Sequence, residues 1–98
     1  MNFSIQQKNE HNLVIVPSIN WTQDDFEIII AQFFQYFSQI DKIEVITGAD
    51  RATVRCHWSE HYFYLQMECY IDTIWLEPCD QISGLSLIEL AQYMNGCE

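Results

Sequence analysis

His57 and His61 flank the pair Ser59-Glu60, Cys56 stands beside His57, and Glu44, Glu68 and Glu77 recur in the same stretch of chain. Imidazole, thiol and carboxylate move protons, form nucleophiles and bind metals, so these residues define the chemistry open to this chain. Strand alternation separates them. Cys56 falls among apolar positions and His57 among polar ones of one strand, so the two side chains point to opposite faces and form no thiolate–imidazolium pair. Two imidazoles without a third ligand nearby do not compose a metal site. Glu44 and Glu68 each face an arginine in the expected register, which favours the ionised carboxylate and suits a structural ion pair better than a general acid. Three glycines, each read as a turn or a cap, leave no phosphate-cradling loop. No catalytic residue, metal or cofactor is therefore assigned, and an enzyme using His57 stands third among the readings.

The cysteines Cys56, Cys69, Cys79 and Cys97 show neither a CxxC spacing nor a zinc-type pair of pairs. Cys56 and Cys69 read as small hydrophobes on the apolar side of strands. Cys79 and Cys97 are expected to be exposed, Cys97 being the more open to oxidation. Unpaired thiols and an N-terminus without an export signature place the chain in the cytoplasm.

The elements that hold these residues follow from periodicity. Residues 3–7 and 12–16 read as strands, with Leu13-Val14-Ile15-Val16 apolar toward both faces as in a strand covered on two sides, and Pro17 as its stop. Thr22 with Asp25 forms a capping box and Trp21 a staple onto Phe26, opening a helix over 23–39. Its buried stripe is Phe26, Ile29, Ile30, Phe33, Phe37 and Ile40, and its outer face carries Ile28, Gln32, Gln35 and Gln39. Ser86 and Glu89 make a second capping box for a helix over 86–95, with Leu87, Leu90, Ala91 and Met94 buried and Gly96 as its close.

Between the helices, Ile43, Val45, Ala52, Val54, Cys56, Phe63, Leu65, Met67, Cys69, Ile74 and Leu76 keep period-two alternation and define a core face. Turns at 48–51, 59–60 and 71–72 pair Val45 with Val54, Ile43 with Cys56, Cys56 with Phe63, Val54 with Leu65, Met67 with Leu76 and Cys69 with Ile74. A slip of one residue would expose every apolar group. The opposite face then sets Glu44 against Arg55, Arg55 against Tyr64, His57 against Tyr62, Arg51 against Glu68 and Glu68 against Trp75. Lys42, Arg51 and Arg55 balance Glu44, Glu68 and Glu77 there, while Tyr62, Tyr64, Tyr70 and Trp75 supply aromatic surface. Tyr, Trp and Arg in company mark contact surfaces.

Ninety-eight residues make one domain, and the formal charge of −10 repels a phosphate backbone and an anionic membrane alike. A basic protein remains a compatible partner.

Gly48-Ala49-Asp50-Arg51 opening a strand, followed by Trp75-Leu76-Glu77-Pro78, resembles a small bacterial family of single-domain proteins with no assigned activity. The resemblance implies a bacterial origin and transfers no functional residue. The expectation is an α+β domain, an antiparallel meander over 42–77 joined by the strand at 12–16, with both helices on one face. A right-handed crossover follows if the strands at 12 and 43 run parallel. The expected function is a non-catalytic cytoplasmic interaction domain, homodimeric through Arg55, His57, Tyr62, Tyr64, Glu68 and Trp75. The alternative is an acidic inhibitor-, immunity- or chaperone-type protein for a basic partner.

Overall fold

The computed structural model describes residues 1–6, 11–84 and 86–97. Six strands form one antiparallel sheet: β1 (Phe3–Gln6), β2 (Leu13–Pro17), β3 (Asp41–Thr47), β4 (Arg51–Trp58), β5 (His61–Glu68) and β6 (Thr73–Pro78), in the order β1-β2-β6-β5-β4-β3. The sheet is open, with β1 and β3 as its edges. The fold class is α+β, as the sequence pattern implies. Alternating directions make β2 and β3 run the same way with three strands between them, so α1 (Phe26–Tyr36) carries the chain across the sheet. Helices α2 (Gln81–Gly84) and α3 (Leu87–Asn95) follow β6.

Burial fixes the register. Val54, Leu65, Leu76 and Leu13 stand side by side across β4, β5, β6 and β2, and all four are fully buried. The next row, Ala52, Met67, Ile74 and Ile15, is buried as well. Onto these rows α1 docks Phe26, Ile29, Ile30 and Phe33, and α3 docks Leu87, Leu90, Ala91 and Met94. Phe3 packs edge-on against Phe33 and Tyr36, tying β1 to α1. Trp58 stacks on Tyr93, tying β4 to α3.

The start of α1 forms as its residues dictate. Thr22 Oγ1 accepts from the Asp24 N–H, Asp25 Oδ2 accepts from the Thr22 N–H, and Trp21 packs on Phe26 with ring centroids 6.0 Å apart. The first turn is a 3-10 turn at Gln23–Asp25, and the helix ends at Tyr36 rather than at 39, because Phe37 leaves helical geometry at ψ 72° while keeping its ring in the core. Leu87–Asn95 matches its expected stripe, but Ser86 makes no side-chain cap and Gly96 is right-handed at φ −74°.

Two departures in the sheet matter for the surface. At β3 a bulge sets Lys42 opposite Cys56 and Glu44 opposite Arg55, leaving Ile43 as the extra residue rather than the partner of Cys56. Ile43 and Val45 are 46% and 41% exposed, so neither belongs to the core. At the other hairpin the turn takes four residues, 69–72, with Asp72 at φ 51°, and the pairs are Leu65 with Leu76 and Met67 with Ile74. That register is displaced by two residues from the expected one, which preserves the faces but puts Thr73, not Trp75, opposite Glu68, and Met67, not Cys69, opposite Ile74; Cys69 sits in the turn, half-buried against the core. Strand β1 is described to Gln6, and residue 7, expected to extend it, lies outside the described residues. Pro17 is the last residue of β2 and still stands opposite Phe3.

Replacing Phe63, fully buried between Cys56 and Pro78, by Ala is expected to lower stability by about 3–5 kcal/mol in urea unfolding. Ile43→Ala should cost less than about 1 kcal/mol, whereas a core position would cost about 2–5.

Candidate functional site

The sheet face opposite the helices is built from the alternate residues of every strand. One row runs Ile46, Thr53, Gln66, Trp75, Val14 and Gln6, and the next Glu44, Arg55, Tyr64 and Glu77. Beyond these, His57 stands opposite Tyr62 at one end and Arg51 opposite Glu68 at the other. The six expected residues, Arg55, His57, Tyr62, Tyr64, Glu68 and Trp75, are thus all on this face. Val14 and Val16 join them from β2, so that strand is covered on one side only, with Leu13 and Ile15 in the core and Val16 exposed. Thr53 and Gln66 were legible from alternation; the flanking position of β2 beside β6 was not.

Polar groups on the face engage one another. The Thr53 hydroxyl donates to Gln66 Oε1 at 2.6 Å and Gln66 Nε2 donates to Glu77 Oε1 at 2.9 Å, a chain of bonds across three strands. Arg51 pairs with Glu68. Arg55 lies over the Tyr62 ring, 4.8 Å from its centroid, and the His57 and Tyr62 rings are 5.0 Å apart. Such contacts contribute about 0.5–1 kcal/mol each at exposed sites, so they pre-order the side chains without holding the fold.

The bulge changes the charge of this face. It carries Lys42 to the side of Cys56 and brings Asp41 opposite His57, Nδ1 to Oδ2 3.8 Å. The face therefore carries Arg51 and Arg55 against Asp41, Glu44, Glu68 and Glu77, two more acids than bases among the described residues rather than the expected balance. Tyr70 sits in the 69–72 turn, almost fully exposed, at the margin of the face.

His61 pairs with Trp58, on the side opposite His57, so the two imidazoles do not converge. Cys56 is fully buried on the helix side, away from His57. Burial pushes its thiol up to about 12 from 9.0. Cys79 and Cys97 are half-buried rather than exposed. Burial raises the Cys79 thiol, partly opposed by the Tyr64 hydroxyl and the Arg55 guanidinium. The Cys69 thiol donates to Gln23 Oε1 at 3.2 Å. A groove of about 710 Å³ lies between the β1–β2 hairpin, Tyr36 and Cys97, and another of about 440 Å³ beside Trp21, Asp72 and Thr73; His57 lines neither. Among the described residues no three His, Cys, Asp or Glu side chains converge, and no helix is long and apolar enough to cross a membrane.

Residues 3–92 match the sequence model of a family described as "Protein of unknown function (DUF3630)". No curated protein and no solved structure matches.

Cys56 yields a prediction with a definite sign. Between pH 9 and 12 the unfolded thiol ionises while the folded one keeps its proton, so stability present below pH 9 is lost as pH rises, by about 1.4 kcal/mol per unit. Urea unfolding at pH 8 and pH 10.5 should show a smaller loss for Cys56→Ala than for the parent chain. An equal loss in both would refute the assignment.

Proposed function

The chain belongs to the DUF3630 family, a family of unknown function, and from its geometry we propose a non-catalytic cytoplasmic interaction domain that pairs with a second copy of itself through the helix-free sheet face. The observation that carries this reading is a face spanning all six strands, on the side opposite α1 and α3 and free of helices among the described residues, with Trp75, Tyr62, Tyr64, Val14, Val16 and Ile46 upon it. Six strands of four to eight residues, about 4.8 Å apart, make a face of roughly 24 by 20 Å, about 500 Å² in flat projection and more once side-chain relief is counted, against the ~800 Å² each partner gives to a stable interface.

Charge is compatible with self-docking. Arg51 and Arg55 on one copy have carboxylates to meet in Glu44, Glu68 and Glu77 of a second, and a twofold contact makes every such pair twice. The exposed Tyr62, already ordered beneath Arg55, supplies an aromatic anchor with little left to lose on docking. Four free thiols support the cytoplasmic placement.

A second reading, an acidic protein that sequesters a basic partner, is favoured by the charge of −10. A small enzyme using His57 has less support, since the imidazole lies on a broad face beside Tyr62.

Size exclusion with light scattering should give twice the 11.6 kDa chain mass, unchanged by added salt. Tyr62→Ser combined with Trp75→Ser should halve that mass while circular dichroism stays constant. A monomeric parent chain would sink the dimer and move support to the second reading.

A further inference from the structure

The two edges of the sheet are unlike. Strand β1 is four residues long and lies against α3, whereas β3 has seven residues, every one exposed, and pairs with β4 alone among the described residues. The Gly48 N–H donates to the Arg51 carbonyl at 2.8 Å, which makes those residues a hydrogen-bonded pair. Alternation along an antiparallel ladder then makes Ile46 and Thr53 the next bonded pair. The N–H and C=O groups of Val45 and Thr47 consequently point away from β4, toward the open edge. Side chains on both sides of this edge are apolar and uncovered: Val45 toward the helix side, Ile46, 61% exposed, toward the other.

Acids surround it. Asp41 and Glu44 lie on the strand, and Asp24 and Glu27 share a groove of about 230 Å³ with Thr47 and Gly48. Against these four carboxylates the strand offers Lys42, while Arg55, opposite Glu44, is drawn over Tyr62. The bulge at Ile43 twists the beginning of the edge away from pairing, so the usable window is 44–47.

We propose that this window of β3 receives an extended cationic segment of a partner protein as a seventh strand. Backbone groups of Val45 and Thr47 bond the incoming strand, Val45 and Ile46 take its apolar side chains on the two faces, and its Lys or Arg residues meet Glu44, Asp24 and Glu27. A second copy of β3 is the poorer occupant, because it would bring a like set of carboxylates to the same edge. The surface borders the sheet-face dimer proposed above and shares Glu44 and Ile46 with it.

The test uses the full chain and a fluorescein-labelled octapeptide of repeating Lys-Lys-Val-Val, which as a strand presents both residue types on each face, read by anisotropy. Saturable binding that weakens with salt is expected, with amide exchange slowed at Val45 and Thr47. Val45→Pro removes an outward N–H without touching the β3–β4 ladder and should weaken binding at least about tenfold. Glu44→Lys with Glu27→Lys should do the same, which keeps the test decisive if the proline variant misfolds. Tyr62→Ser with Trp75→Ser should bind the peptide normally, separating this surface from the sheet face. The proposal is overturned if the peptide does not bind or an octapeptide of repeating Glu-Glu-Val-Val binds as well. Unchanged exchange at Val45 and Thr47, or a dimer that Val45→Pro splits into monomers, would equally overturn it.

Discussion

The structure depends on one row of side chains. Val54, Leu65, Leu76 and Leu13 are drawn from four strands and shut completely from water, and this fixes which way each of those strands must face. Everything on the other side is then determined. Arg55, Tyr64 and Glu77 lie outward because their neighbours in sequence lie inward, and burying four large aliphatic groups, at about 1.5–3 kcal/mol each, outweighs any cross-strand pair on the open side.

That dominance explains what could be read from the sequence. The hairpin at Ser59-Glu60 has Trp58 facing His61, a two-residue turn that keeps both Cys56 and Phe63 inward, although it forces positive φ on two non-glycine residues. At the 69–72 turn the same rule leaves a choice, because a displacement by two residues keeps every face and changes only the partners; the extra turn residues Cys69 and Tyr70 decided it. The six surface residues were legible because parity, not partner identity, assigns a residue to a face. The placement of β2 beside β6 was not legible, since a non-local strand order leaves no mark on local periodicity.

Strand β3 shows where parity stops. Ile43 and Val45 obey the apolar pattern yet are exposed, because an edge strand has one neighbour and a bulge adds a residue that alternation does not record. The same bulge exchanged Lys42 for Asp41 on the open face and made it more acidic than the sequence implied. The short helix α2 was likewise unread, although Asp80 Oδ1 accepting from the Ser83 N–H is a local cap of ordinary kind. Its Ser83 hydroxyl in turn accepts from the Tyr62 N–H, so the turn after β6 helps to hold the β5 end of the open face.

The uncovered edge and the uncovered face have a common origin in the size of the helical layer. Helix α1, eleven residues long, measures about 16 Å at 1.5 Å per residue, and α3 is shorter still, while six strands at about 4.8 Å spacing span roughly 24 Å. Two such helices cover one side of this sheet incompletely, and among the described residues none remains for the other. Ile43 and Val45 of β3 are apolar sheet residues that the helices leave exposed, and behind the sheet lie Ile46, Trp75, Val14 and Val16. Covering them from within would take another helix; covering them from outside takes another polypeptide. The proposed use of both surfaces follows from that geometry, with charge selecting the occupant: mixed signs on the face admit a second copy, and the acids around β3 favour a cation.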